Sequence, residues 1–265
     1  MNDFALTGTS ALVTGASGYL GRHMCLALGE SGARLLMVGR DKSKLNELTA
    51  ELIRKGIHAE SFVCDLLADD SASRIKKWVT NTTETLDILV NNAHGIRPGS
   101  HFNPKLTDFQ DATRFAISIP YSLSYELSPL LHRGAEYRGH GASIIQISSI
   151  YGVNSPQPEL YEETGLNSPP HYGAAKAGML QMTRHLASHL ARYKIRVNSL
   201  VLGPFPSKEV RENHPEFVSR LDSRIPLGRC GKPNEIAGPL IFLASSASSF
   251  CTGASLHVDG GWTIW

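Results

Sequence analysis

Short apolar, β-branched runs alternate along this chain with longer stretches in which apolar residues recur every three or four positions. The short runs, 11–13, 35–38, 61–64, 88–90, 144–147, 197–201 and 256–258, predict seven strands. The amphipathic stretches, 19–31, 42–55, 69–80, 108–132, 172–192 and 233–245, predict the helices between them. Strands that are apolar throughout and separated by helical crossovers imply a parallel sheet covered on both faces, an α/β doubly wound architecture. In such a sheet ligands gather where the carboxyl ends of the strands emerge. Glycines and polar residues collect at those ends: 14–21 after the first strand, Arg40 after the second, Asp65 after the third, 91–94 after the fourth, Ser148 and Ser149 at the fifth, and 203–205 after the sixth.

The bulk numbers narrow this picture. With 265 residues and 42% hydrophobic content, and without a linker, charge run or internal repeat, residues 1–265 are expected to form a single domain. The formal net charge is +2 and the basic residues are scattered, so neither nucleic acid nor an anionic membrane surface is the expected partner, and a small molecule is. Cys25, Cys64, Cys230 and Cys251 lie far apart with no Cys-x-x-Cys pair, which fits reduced thiols better than disulfides or a zinc site. No basic segment leads into a long apolar one at the N-terminus, and no run approaches the ~18 apolar residues of a membrane span. A cytoplasmic protein is expected.

Two motifs carry chemistry. Residues 11–21 read ALVTGASGYLG, a strand opening into Gly15, Gly18 and Gly21 and then a helix. Gly15 suits the tight turn, Gly18 the close approach of a pyrophosphate, and Gly21 close packing of helix on sheet, with the helix N-terminus holding negative charge. At the far end, Tyr172 stands four residues before Lys176 in HYGAAKAGM, one helical turn apart on one face. A cation beside a phenol that normally ionises near pH ~10 makes the phenolate more accessible, as proton exchange with an alcohol or carbonyl requires.

With TGASGYLG, NNA at 91–93, ISS at 147–149, YGAAK at 172–176 and VDGGW at 258–262 in this order, the chain resembles the short-chain dehydrogenase/reductase family over essentially its whole length. The resemblance implies a Rossmann-like domain that binds NADP or NAD and works as a homotetramer or dimer. It implies that Tyr172 is the catalytic acid/base, that Lys176 lowers its pKa and holds the nicotinamide ribose, and that Ser149 bonds the reacting oxygen. It places the nucleotide against Thr14, Gly15, Ser17, Gly18, Tyr19, Leu20, Gly21, Arg40, Asp65, Leu66, Asn92, Ala93, Gly203 and Phe205, as well as Tyr172 and Lys176. His94, Ser149 and Tyr151 are the candidate substrate contacts, and no metal site is expected. Asp65 has two readings, an adenine contact or a turn cap.

The chain departs from the family pattern in three places. Its TGxxGxxG spacing belongs to a longer, sugar-nucleotide branch, whereas its length and VDGGW ending belong to a shorter one. Tyr172 follows Ser149 by 23 positions, so 154–170 reads as an insertion beside the substrate mouth or as a surface loop tolerated at little cost. Ala116 stands about where an asparagine usually relays protons, which leaves Ser118 or a water chain to do so. At the second strand's end, Gly39 occupies the position of the carboxylate that usually selects NAD, and Arg40 follows it, which favours NADP, with Asp41 as a confounding neighbour.

Other polar residues invite a bland reading as well. His185 and His189 share a helix face but lack a third ligand. His94, where the family often has glycine, either touches substrate or is a packed or solvent-facing histidine. Segment 205–224 carries Lys208, Arg211, His214 and Arg220 and resembles a substrate lid, its charges suiting an anionic substrate or merely a solvated helix. The expectation is hydride transfer between a nicotinamide and a secondary alcohol or ketone of a sugar-like or polyol substrate, in the manner of surface-sugar or flagellin-sugar dehydrogenases. A nucleotide-binding sensor or scaffold without turnover, and a nucleotide-sugar epimerase or dehydratase, are the alternatives.

Overall fold

The computed structural model describes residues 3–95, 104–139 and 141–265. Seven strands form one parallel sheet in the order β3-β2-β1-β4-β5-β6-β7. They are β1 (Ser10–Thr14), β2 (Arg34–Gly39), β3 (Ala59–Val63), β4 (Ile88–Asn91), β5 (Ala142–Ser149), β6 (Ile195–Leu202) and β7 (Ser255–Val258). The seven expected strands are all present. β5 and β6 run further than their apolar cores because Ser143, Ser148 and Arg196 are buried and bonded within the sheet's surroundings.

Alternation along the strands explains the two layers. Ala11, Val13, Leu35, Met37, Ile145 and Ile147 enter one apolar cluster, and Leu12, Leu36, Val38, Ile144 and Val197 enter another on the opposite face. Helices α1 (Tyr19–Glu30), α2 (Lys42–Arg54) and α9 (Ala237–Ala244) cover the first face, while α3 (Ser71–Thr82), α5 (Ile119–Arg138) and α6 (Pro170–Leu190) cover the second. Both faces being covered is why the strands read as continuous apolar runs.

The helix expected over 108–132 is built differently. It begins as α4 (Leu106–Thr113), passes through a π-helical turn at Arg114–Ser118, and continues as α5 across Pro129. The wider turn brings Phe115 to the sheet-end cleft, and Ala112 and Ala116 pack against Ala175 and Met179 of α6. Two short helices, α7 (Lys208–Asn213) and α8 (Pro215–Arg224), occupy the segment read as a lid.

β1 connects outward through β2 to β3, and the chain then returns to place β4 on the other side of β1. Loops leaving β1 and β4 therefore diverge and leave a crevice between them. Thr14 and Asn92 pin that crevice: the Thr14 hydroxyl accepts from the Asn92 and Ala93 N–H groups, both at 3.1 Å, and Asn92 Nδ2 donates to the carbonyls of Thr14 (3.0 Å) and Gly15 (3.1 Å).

Candidate active site

A cleft of about 480 Å³ opens at this crevice. Its floor is the glycine turn. Gly15 has φ +64, and a methyl group there would lie 2.8 Å from Ala93 Cα. At Gly21 a methyl would lie 2.1 Å from the Gly15 carbonyl oxygen, so the turn folds over the helix only because both residues lack side chains. α1 starts without a side-chain cap and without an acidic residue in its first turn. Its leading N–H groups are thus free to meet an anion in the cleft, which suits a pyrophosphate. Ser17, Gly18, Tyr19 and Leu20 line the same space. Thr14, named among the cofactor contacts, is buried and does not line it; it holds Asn92 and Ala93, and of these it is they that face the cleft.

Arg40, Asp41 and Lys44 line the end of the cleft beyond β2. Asp41 does not compete for a ribose as a free carboxylate would, since its side chain caps α2 by accepting from Lys44 N–H at 3.1 Å. At Gly39 a methyl would sit tightly against Ser17 Oγ at 3.3 Å and in contact with Leu45 at 3.4 Å. Lys44 was not singled out from the sequence, although a base one turn into the helix after Arg40 was the available signal. The cluster of cations and the absent carboxylate fit a 2′-phosphate. Asp65 stands outside the cleft, exposed, its Oδ1 accepting from Leu67 N–H at 3.1 Å in a turn, while its neighbours Cys64 and Leu66 line the wall.

Ser149, Tyr172 and Lys176 converge on the opposite wall with His94. Adjacent serines separate cleanly by function because successive residues of a strand face opposite ways. Ser148 donates to the Lys176 carbonyl at 3.1 Å and anchors α6, whereas Ser149 Oγ accepts from Tyr151 N–H at 3.2 Å. That acceptance leaves the Ser149 proton to be donated, and the Tyr172 hydroxyl beside it is one acceptor. Lys176 Nζ donates to the Ile147 carbonyl at 2.6 Å and stands 5.9 Å from the centre of the Tyr172 ring.

Burial decides the electrostatics here. It pushes the Tyr172 phenol above its ordinary value, and the Ser149 hydroxyl beside it pulls the other way. Burial pushes Lys176 down to about 8. The phenol therefore stands above its ordinary value in the protein alone, not below it as expected. His94 faces the open cleft, and enclosure by its walls, with the Lys176 charge, pushes the imidazolium down to about 4, so the ring is neutral near pH 7. Ser118 is exposed on the π-helical turn and does not line the cleft, so it is not brought to the lysine as a relay. Gly203 and Phe205 close the cleft from β6. The turn that follows VDGGW supports them: Asp259 accepts from Gly261 N–H (2.9 Å) and from Thr263 N–H (3.0 Å) and Oγ1 (2.7 Å).

The segment read as an insertion packs on the segment read as a lid. Leu160, Tyr161 and Leu166 join Phe217, Val218 and Leu221 in a third apolar cluster, with the Tyr161 and Phe217 ring centres 5.3 Å apart. Arg220 ties the two together by donating to the carbonyls of Glu159 (3.3 Å) and Glu162 (2.7 Å). The other lid cations are also engaged, Arg211 with the Gly231 carbonyl at 3.2 Å and Lys208 with Glu212 at 3.6 Å. Tyr19 joins the lid to the glycine turn by donating to the Pro206 carbonyl at 3.1 Å. Such packing is that of a built element. A second, largely apolar cavity of about 950 Å³ lies between 153–170 and the start of α6, with Tyr151 and Gly173 on its wall.

His185 and His189 stack on the exposed face of α6 with ring centres 6.1 Å apart, and no group of three or more potential ligands surrounds a metal position among the described residues. Nor, among the described residues, is any helix long and apolar enough to cross a membrane.

Comparison with known proteins agrees with this geometry. A family model described as enoyl-(acyl carrier protein) reductase matches residues 15–263. The chain is 34% identical to galactitol 2-dehydrogenase (L-tagatose-forming) of Cereibacter sphaeroides, covering 99% of this chain and 98% of that one. It is 31% identical to the rhamnolipids biosynthesis 3-oxoacyl-[acyl-carrier-protein] reductase of Pseudomonas aeruginosa, covering 98% of each. The structure of the Pseudomonas aeruginosa RhlG/NADP active-site complex superposes with a TM-score of 0.89 at 30% identity, over 99% of both chains. The glycine turn, the Ser/Tyr/Lys wall and these full-length likenesses converge: the chain belongs to the short-chain dehydrogenase/reductase family and is an NAD(P)-dependent oxidoreductase.

Proposed function

We propose that the protein interconverts a secondary alcohol and a ketone on a sugar-like or polyol substrate, with NADP preferred over NAD. The observation that carries the reading is that Ser149, Tyr172 and Lys176 line the same cleft as the glycine turn. When bound, the nicotinamide supplies or accepts the hydride. The glycine turn and the N-terminus of α1 hold the pyrophosphate, and Arg40 with Lys44 meets the 2′-phosphate. Tyr172 gives its proton to the carbonyl oxygen in reduction and takes it back in oxidation. Ser149, whose own oxygen is engaged by Tyr151 N–H, donates to the reacting oxygen as charge develops there. Lys176 steadies the phenolate, and neutral His94 offers a donor and an acceptor to substrate hydroxyls.

The galactitol dehydrogenase supports the polyol class. A second reading, a 3-oxoacyl thioester, draws on the matched reductase model and on the apolar cavity beside the catalytic wall. A homo-oligomer is part of the proposal, with Tyr121 and Tyr125, exposed and stacked on α5, as one face that a second copy would cover.

The test is titration with NADPH and NADH, then turnover of polyols, keto-sugars and acetoacetyl thioester followed at the nicotinamide absorbance. Polyols or keto-sugars should react and the thioester should not; the reverse favours the second reading. Tyr172→Phe should lose roughly 10²-fold or more in kcat/KM while nucleotide affinity stays within a few-fold. Parent-like turnover by that variant removes the assigned acid/base, and tight nucleotide binding without turnover of any substrate would favour a sensor.

A further inference from the structure

Each oxidation of an alcohol to a ketone leaves one proton behind: the carbon gives a hydride to the nicotinamide, and the hydroxyl gives its proton to Tyr172. That proton must reach water before the next turnover, and in reduction one must come back. The catalytic wall by itself offers no exit. Lys176 is 4% exposed, and its Nζ is bonded to the Ile147 carbonyl, which cannot pass a proton on. Ser148 is turned to the Lys176 carbonyl, and Ser118 lies outside the cleft. Of the other titratable side chains along the cleft, Tyr19 is bonded to Pro206 of the lid, while Arg40, Asp41, Lys44 and Cys64 stand at the far end, beyond β2 and β3. His94 remains.

Its position suits the task. His94 lines the cleft with Ser149, Tyr172 and Lys176, and unlike Lys176 it is exposed. β4 and β5 pair with Asn91 opposite Gln146, and each chain runs three residues further, to His94 and to Ser149. The backbone is held on both sides of the histidine. A methyl on Gly15 would lie 2.8 Å from Ala93 Cα, and one on Gly95 would lie 2.0 Å from the Phe115 ring. Phe115 belongs to the π-helical turn whose next residue, Ala116, packs on Ala175 and Met179, the stretch of α6 that carries Lys176. The imidazole carries no hydrogen bond among the described residues, so a neutral ring keeps one nitrogen to accept a proton and one to donate.

We infer that His94 is the proton relay between the buried Tyr172–Lys176 wall and bulk water. This rests on the alcohol/ketone reading above and goes beyond a contact with a substrate hydroxyl. In oxidation the Tyr172 proton passes to the Lys176 amine, whose Nζ stands 5.9 Å from the phenol ring centre. A Lys176 ammonium proton then passes to the facing nitrogen of His94, and the proton on the opposite nitrogen leaves to water. The ring ends neutral in its other tautomer, and reduction runs the same path backwards. Enclosure and the Lys176 charge disfavour the imidazolium, so the ring hands the proton on rather than keeping it.

Chemical rescue separates a relay from a substrate contact. The probe is whichever of sorbitol, xylitol and trans-1,2-cyclohexanediol the parent oxidises fastest with NADP. His94→Ala should lose about tenfold or more in kcat, and imidazole buffer, raised at fixed pH and ionic strength, should restore most of the loss while leaving the parent unchanged. His94→Gln keeps a hydrogen-bond donor and acceptor for substrate but carries no proton through, so it should stay slow in kcat and respond to imidazole in the same way. A parent-like kcat in His94→Ala, a loss that imidazole does not relieve, or full activity in His94→Gln overturns the assignment. If the parent oxidises none of the three, the alcohol reading fails on its own account, and the facing of His94 and Lys176 is judged by NMR titration of protein labelled with ¹⁵N-histidine. His94 should then titrate at higher pH in Lys176→Met than in the parent, where the ammonium opposes it. An identical titration in both proteins refutes the relay.

Discussion

The two halves of the cleft hold their chemistry by different means. On the side of β1, β2 and β4 the backbone does most of it: Gly15 and Gly21 bring the chain within reach of itself, α1 presents uncapped N–H groups, and Thr14 and Asn92 lock the turn against β4. On the side of β5, β6 and segment 154–170, side chains act across longer sequence gaps. Ser149, Tyr172 and Lys176 meet over 23 to 27 positions, and Arg220 reaches back to Glu159 and Glu162. A backbone site has one workable geometry and tolerates no added atom. A side-chain site can be re-aimed by whatever segment is laid against it, without touching the nucleotide half.

That contrast is broken most severely at the turn. Gly21→Ala puts a methyl 2.1 Å from the Gly15 oxygen, so nucleotide affinity should fall by roughly 100-fold or more, whereas Gly165→Ala in segment 154–170 meets open space and should cost only about 1–2 kcal/mol for its positive φ. Fluorescence titration with NADPH and urea unfolding of both variants measure the difference. If the two variants suffer alike, the backbone account of the first half is wrong.

Lys176 sharpens the second half through pH. Its ordinary value is 10.5 and the folded protein lowers it to about 8. Between these values the unfolded chain binds more protons, so stability from this group rises with pH across the window, by up to about 3 kcal/mol, and is lost as pH falls back through 8. Lys176→Met has no proton to release. Urea melts at intervals from pH 7.5 to 10.5 should show the parent gaining on the variant; parallel curves would mean that the lysine is not desolvated as described.

Arg40→Ala should weaken NADPH by about tenfold and NADH hardly at all, the difference being that of a charge-assisted contact to the 2′-phosphate. Equal losses for both nucleotides would move the preference to Lys44 or elsewhere. The smallest effect is expected at the strap between segments 154–170 and 205–224. Arg220→Ala removes two bonds to exposed carbonyls, which should cost about 0.5–1.5 kcal/mol of stability and raise substrate KM a few-fold without changing nucleotide affinity. A change in NADPH binding of the same size would show that the halves are mechanically coupled, through the Tyr19 bond to Pro206.

The chain's own order of residues determined the seven strands, the two covered faces and the glycine turn, because each follows from contacts within a few residues or from the period of apolar positions. It also paired Tyr172 with Lys176, which share a helix. What it left open were matters of direction and neighbourhood. Asp65 and Asp41 both read as nucleotide contacts or confounders until each was seen capping a backbone N–H. Burial, which no local pattern reveals, reversed the expected direction of the Tyr172 shift. The helix over 108–132 was interrupted by a π-helical turn that its periodicity did not betray. Tyr161 lay in a segment of prolines and polar residues with no periodic signal, and only the packing of that segment on Phe217 brought its hydroxyl to Tyr151. Local sequence encodes the elements and the residues that a turn or helix joins. Which distant side chains share a wall, and at what cost in desolvation, is decided when the tertiary structure removes water from between them.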